Sequence, residues 1–105
     1  MPSPPKQSLF VLFFVPGTVR LGPEAQQIVR QAAAIAATSK TSKIEVAVPV
    51  DAPGGANLRE GRFTAIQNIL SASSINPMLF ARVPLSDAAA ALPGAADRAE
   101  LRLVP

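Results

Sequence analysis

The order of apolar and polar positions along this chain predicts four strands. Residues 9–15 form a short, uninterrupted apolar run rich in Phe and Val, which is typical of a buried strand. Residues 43–50 alternate, with an apolar side chain at every second position, and residues 98–104 alternate in the same way. A further apolar segment near residues 78–83 completes the predicted set of strands.

Two segments carry apolar residues at helical spacing. The first is predicted over about residues 23–38, where Gly22 acts as the N-cap and a proline takes the first helical position. The second is predicted to begin with Asn57 as its N-cap. Glu60 follows three residues later and forms a capping box with it. This second helix is predicted to extend to about Ser73.

The element order is β-α-β-α-β-β, which predicts an α/β (α+β) sandwich. One mixed sheet of about four strands is packed by two main helices. Residues 86–97 are predicted as a loop that can hold one helical turn, capped by Ser86 or Asp87. Residues 1–8 are polar and proline-rich, so we expect a flexible N-terminal lead followed by a single domain over residues 9–105.

Composition narrows the range of functions. Apolar residues make up 49% of the 105 positions, which indicates a folded core rather than disorder. The chain has no cysteine and no histidine, and its seven acidic residues are widely spaced. We therefore expect no metal site, no cofactor and no enzymatic activity. The net charge is +3 with scattered basic residues, so we expect no nucleic-acid partner. No segment has the length of a transmembrane helix.

One arginine interrupts the apolar stripe of the second helix. Arg62 lies one turn after Leu58 and one turn before Ile66, so it faces the core, where an unpaired guanidinium is costly. In one interpretation its head extends past the helix end and pairs with Asp51 or with a backbone carbonyl. In the other, Arg62 binds the carboxylate of a ligand while Asp51 binds an ammonium, which suits a zwitterion.

Four segments together resemble a known family. They are GTVRLGPEAQQIVRQAA from residue 17, IEVAVPVD from residue 44, LREGRFTAIQNIL from residue 58 and DRAELRLV from residue 97. In order and pattern they resemble the C-terminal OmpA-like domain, which binds peptidoglycan non-covalently. Leu58, Arg62 and Ile66 match the family's second-helix pattern of leucine, arginine and an aliphatic residue.

The resemblance implies a periplasmic binding module associated with the outer membrane or the cell wall. In the family, an aspartate and an arginine at the positions of Asp51 and Arg62 grip the diaminopimelate of the peptidoglycan stem peptide. Any signal or membrane anchor is then expected outside this sequence. The Asp51–Arg62 interval is shorter than in the family, and Phe63 stands where the family prefers alanine. The alternative is therefore a degenerate domain that binds other envelope proteins instead of the wall.

Overall fold

The computed structural model describes residues 9–38, 41–49 and 57–104. Its strands are β1 (Leu9–Phe13), β2 (Lys43–Val48), β3 (Phe80–Pro84) and β4 (Arg98–Val104), and its helices are α1 (Pro23–Thr38), α2 (Arg59–Ala72) and the one-turn α3 (Asp87–Ala90). The predicted element order is confirmed, and Ser86 caps α3 by accepting a hydrogen bond from the Ala89 N–H. No helix within these ranges is long and apolar enough to cross a membrane.

The four strands form one mixed sheet in the order β1-β4-β2-β3. β4 is antiparallel to both β1 and β2, whereas β2 and β3 are parallel and are joined by the crossover helix α2. The first three strands therefore run in one direction and β4 runs in the other. As a result β1, β2 and β3 all finish, and β4 begins, at the same end of the sheet, which we call the upper end.

The strands divide their side chains between a helix-covered inner face and an outer face. In β4, Ala99, Leu101 and Leu103 are buried, while the residues between them point to the opposite side. α1 packs against β1 and β4, and α2 packs against β2. The alternation seen in the sequence thus separates the core from the outer surface, as it does in any sheet with one packed face.

A single core lies between the sheet and the two main helices. α1 contributes mostly small side chains, which allow it to lie close to the sheet, while the strands and α2 supply the large ones. Fully buried large residues include Phe10, Leu12, Val29, Ile44, Val48, Ile66, Leu70 and Leu101. Of the adjacent residues Phe13 and Phe14, only Phe14 joins the core, because Phe13 is on the outer face and 48% exposed.

The predicted capping box at the start of α2 is wrong. The helix begins at Arg59, and the preceding Leu58 has helical backbone angles and no side-chain capping bond. An N-cap residue needs extended angles and a side-chain oxygen, and Leu58 has neither. Glu60 does not reach back to the helix start. Its carboxylate instead pairs with Arg82 of β3, which joins α2 to the sheet.

β1 is two residues shorter than the sequence predicts. The strand ends at Phe13, and the chain then turns so that Phe14 forms an isolated bridge with Leu21. The Val15 N–H donates to the Arg20 carbonyl at 2.9 Å, which closes this turn. The third strand also begins later than the sequence predicts. It starts at Phe80 rather than near residue 78, because a 3₁₀ turn occupies the preceding three residues. At the end of β1 and at the start of β3, turn hydrogen bonds therefore replace the predicted strand pairing.

Candidate functional site

Arg62 is buried at the upper end of the sheet. It is the fourth residue of α2 and is 2% exposed, on the same side of the helix as the buried Phe63, Ile66 and Leu70. The sequence placed Arg62 on the apolar stripe correctly. Of the first interpretation, the pairing of Arg62 with a backbone carbonyl is confirmed, whereas the extension of its head out of the domain is wrong, because the side chain is 3% exposed. A guanidinium at this depth must find its partners within the protein.

The guanidinium donates three hydrogen bonds to two different loops. Its Nε donates to the Thr18 carbonyl at 2.9 Å, and its Nη1 donates to the Ala96 carbonyl at 2.8 Å. Its Nη2 donates to Oδ1 of Asp97, also at 2.8 Å. An arginine carries five N–H groups. Two of the five are therefore not used by these bonds.

The ring of Phe14 supports the same guanidinium. The Arg62 Cζ lies 4.7 Å from the ring centroid, within the range of a cation–π contact. Phe14 is itself 2% exposed and follows directly after β1. The planar guanidinium thus has an aromatic surface against it and polar partners around it, which is how this charge is accommodated in the core.

Asp97 connects the two loops. It lies just before β4, and its Oδ1 accepts from Arg62 and also from the Gly17 N–H at 3.1 Å. Gly17 has φ of 71°, a left-handed conformation that favours glycine and that lets the turn present its N–H to the carboxylate. Arg62 and Asp97 therefore hold together the β1–α1 loop, the start of α2 and the segment that leads into β4.

α2 lies unusually close to the β1–α1 loop. A Cβ added at Gly61 would lie 2.7 Å from Cγ1 of Val19, a distance that side-chain atoms do not tolerate. Glycine at this helical position costs about 1 kcal/mol relative to alanine. Because the glycine has no side chain, α2 approaches the loop closely enough for the Thr18 carbonyl to accept a hydrogen bond from Arg62, and this bond offsets the cost.

Comparison with solved structures identifies the fold. No protein-family model matches the chain, and no curated protein matches it by sequence. The OmpA-like domain of FopA1 from Francisella tularensis subsp. tularensis SCHU S4 matches with a TM-score of 0.70 at 12% identity, over 91% of this chain and 73% of that one. The peptidoglycan-associated lipoprotein from Burkholderia pseudomallei matches at 0.67 and 17% identity, over 90% of each chain. The periplasmic domain of Helicobacter pylori MotB matches at 0.64 and 15% identity, over 89% and 79%.

This chain has the OmpA-like fold. The resemblance found in the sequence is therefore confirmed for the fold. Sequence identities this low support a shared fold and nothing more. The upper end of this OmpA-like fold is where Arg62 meets its partners. Asp51, the second residue of the expected site, lies outside the described residues.

The sequence did not identify Asp97 as the partner of Arg62. The two residues are 35 positions apart, and Asp97 was assigned only to the loop before the last strand. One signal was available, since Asp97 opens the segment DRAELRLV that resembles the last OmpA-like strand. Placing it beside Arg62 requires the strand order, which brings the start of β4 next to the ends of β1 and β2.

A second group of charges surrounds Phe63, the residue that follows Arg62 in α2. Phe63 is buried, with the guanidinium of Arg59 at 5.0 Å and that of Arg82 at 4.9 Å from its ring centroid. Arg82 also pairs with Glu60 on the exposed surface. The Phe63 ring therefore has two guanidinium groups within cation–π range. Within the described ranges, no group of three or more acidic residues lies close enough to hold a metal ion.

We expect Asp97 to make stability depend on acidic pH. The hydrogen bond from Arg62, and then that from the Gly17 N–H, lower the pKa of Asp97 below its ordinary value of 3.8. The stability that the carboxylate contributes is therefore fully present above pH 3.8 and is lost as the pH falls through the lower folded-state value. Urea unfolding at a series of acidic pH values should show a shallower loss for Asp97→Asn than for the parent. Parallel curves for the two proteins would contradict the assignment.

Proposed function

We propose that this chain is a divergent OmpA-like domain that binds peptidoglycan non-covalently. The observation that carries the proposal is a buried arginine at the upper end of an OmpA-like fold, where the β1–α1 loop, the start of α2 and the segment before β4 meet. One of the structural matches is a peptidoglycan-associated lipoprotein. The expected setting is the periplasm, in association with the outer membrane or the cell wall.

The proposed ligand is the diaminopimelate of the stem peptide. Its side chain ends in an ammonium and a carboxylate on one carbon, so it is a zwitterion that an aspartate and an arginine together complement. We assign the ammonium to Asp51 and the carboxylate to Arg62. Asp51 follows Val48, the last residue of β2, by three positions. This short spacing supports the assignment, because three residues extend about 10 Å at most and β2 finishes at the upper end of the sheet.

Arg62 has the donors that this role requires. Three of its N–H groups are used by Thr18, Ala96 and Asp97, and the remaining two are assigned to the ligand carboxylate. The three internal bonds and the Phe14 ring then fix the plane of the guanidinium before the ligand arrives. Such preorganisation reduces the entropy lost on binding.

The proposal contains no catalytic step. The chain offers no histidine and no cysteine to act as a base or a nucleophile. The function is therefore attachment of an envelope protein to the wall, and release of soluble muropeptides by the purified domain would contradict it.

A second function is favoured by the burial of Arg62. Its side chain is only 3% exposed, and its strongest partner is the domain's own Asp97. A domain that has lost wall binding would keep the arginine for this internal role alone. It would then serve as a protein–protein interaction module within an envelope assembly.

Binding to a muropeptide distinguishes the two functions. Amide-shift titration with a diaminopimelate-containing muropeptide should give saturable shifts in residues near Arg62, including Thr18 and Asp97. Asp51→Asn should abolish these shifts, because the amide cannot neutralise the ligand ammonium. A muropeptide with lysine in place of diaminopimelate should bind much more weakly, since it lacks the carboxylate for Arg62.

The matched control is Asp87→Asn, the same substitution at an exposed aspartate on α3. It should bind as the parent does. An absence of saturable shifts in the parent would favour the interaction module. Equal binding by Asp51→Asn and by the parent would remove Asp51 from the site.

A further inference from the structure

Asp97 is the charged part of the Arg62 cluster that solvent reaches. Its side chain is 23% exposed, whereas the side chain of Arg62 is 3% exposed. The preceding residue, Ala96, is exposed as well. A polar group that approaches Arg62 from solvent therefore meets the Asp97 carboxylate beside it. Both charges, and not the arginine alone, decide which ligand group fits at this position.

One oxygen of the Asp97 carboxylate remains available to a ligand. Oδ1 accepts a hydrogen bond from Arg62 at 2.8 Å and another from the Gly17 N–H at 3.1 Å. Within the described part of the chain, both hydrogen bonds to this carboxylate end on Oδ1 and none ends on Oδ2. The bond from Arg62, and then that from Gly17, lower the pKa of Asp97, so the group is ionised at neutral pH. Oδ2 is therefore an anionic acceptor next to the guanidinium.

Arg62 has a donor beside this acceptor. Nη1 and Nη2 each carry two N–H groups, and each uses one of them, for the Ala96 carbonyl and for Asp97. A ligand oxygen on the second N–H of Nη2 then shares that nitrogen with Oδ1 of Asp97. With hydrogen bonds of about 2.9 Å, two such oxygens lie roughly 5 Å apart. If both belong to carboxylates, they repel each other, because like charges at this distance disfavour the ionised form.

We propose that Asp97 makes the site selective for a carboxamide over a carboxylate, so that the preferred ligand is diaminopimelate whose side-chain carboxylate is amidated. This inference rests on the proposed function, which assigns that end of the ligand to Arg62. A primary carboxamide has an oxygen that accepts from the Arg62 N–H and an NH2 group that donates to Oδ2 of Asp97. A carboxylate has acceptors only and brings a second negative charge beside Asp97.

The charges assigned to the site favour the same ligand. Asp51 and Asp97 are acidic and Arg62 is basic, which leaves these three residues with a net charge of −1. The end of an unmodified diaminopimelate side chain is a neutral zwitterion. The amidated end keeps only its ammonium and is therefore a cation. Opposite net charges on the site and on the ligand make the amidated form the better electrostatic match.

Two muropeptides that differ in one group test this selectivity. Disaccharide tripeptides with a free or an amidated diaminopimelate side chain are titrated into the parent and followed by amide shifts. We expect the amidated form to bind roughly tenfold more tightly or better, the effect of about one pKa unit of like-charge repulsion. Equal affinities, or tighter binding of the free carboxylate, would overturn the selectivity and leave the proposed function intact. Binding of neither muropeptide would overturn both.

Asp97→Asn tests whether Asp97 is the residue responsible. The amide oxygen can still accept from Arg62 and from the Gly17 N–H, while an NH2 group that donates replaces Oδ2. The variant should therefore reverse the order and bind the free carboxylate more tightly than the carboxamide. Loss of a merely structural contact would weaken both ligands alike and leave their order unchanged. Asp87→Asn, the same change at an exposed position of α3, should keep the parent's order.

Circular dichroism checks the folding of each variant. The comparison of the two muropeptides in the parent needs no substitution, so it decides the selectivity even if Asp97→Asn does not fold. A folded Asp97→Asn that still prefers the carboxamide as strongly as the parent does would contradict the assignment to Asp97.

Discussion

Replacing Arg62 with alanine is expected to lower the free energy of unfolding by about 3–5 kcal/mol, the usual cost of removing one partner from a buried ion pair. The substitution removes three hydrogen bonds and leaves the Thr18 and Ala96 carbonyls without this donor. It also leaves Asp97 without its cation. Because these partners belong to separate loops, the β1–α1 loop and the segment before β4 should both become more mobile.

Urea unfolding followed by circular dichroism measures this loss. Arg62→Lys should recover only part of the lost stability, because a single ammonium group cannot reproduce the three hydrogen bonds that the planar guanidinium makes in different directions. Arg30→Ala is the matched control, because Arg30 lies on the exposed side of α1 with one 3.4 Å bond to Gln26. It should change stability by less than about 0.5 kcal/mol. An Arg62→Ala variant as stable as Arg30→Ala would show that the buried cluster contributes little.

Replacing Val48 with aspartate is expected to cost about 4 kcal/mol or more. Val48 is 0% exposed and ends a strand that has neighbours on both sides, so the new carboxyl cannot reach water without disturbing β2. A domain of this length has a total stability of about 5–15 kcal/mol. The variant should therefore melt far below the parent or fail to fold.

Val15→Asp controls for the chemistry of the substitution. Val15 is 43% exposed in the turn after β1, so the same change there leaves the carboxylate hydrated. It should melt within a few degrees of the parent. Similar melting temperatures for Val48→Asp and the parent would contradict the placement of β2 within the sheet.

Local patterns explain why most of the fold was predictable. α1 follows from the helical spacing of its alanines and from a proline that can occupy only the first turn, and its bounds are as predicted. β4 follows from a strict alternation that only a sheet with one covered face requires. The start of α2 was predicted less well, because the Asn57 capping box competes with the pairing of Glu60 and Arg82 across elements.

The candidate site was predictable only in part. The sequence showed that Arg62 lies on a core-facing stripe and needs a partner, since helical spacing alone determines the face of a residue. It did not show which partner. Spacing along a chain carries no information about residues 35 positions apart, and Asp97 becomes a neighbour of Arg62 only when β4 inserts between β1 and β2.

The sequence by itself thus determined the elements, their order, the inner faces of the alternating strands β2 and β4 and the unusual position of Arg62. These properties depend on local spacing and on the hydrophobic effect, which act on each segment separately. Only the tertiary structure decided that Arg62 is enclosed, that Asp97, Thr18 and Ala96 receive its hydrogen bonds, and that β1 is a border strand. These depend on strand order and direction, which bring distant segments together and cannot be obtained from any one of them alone.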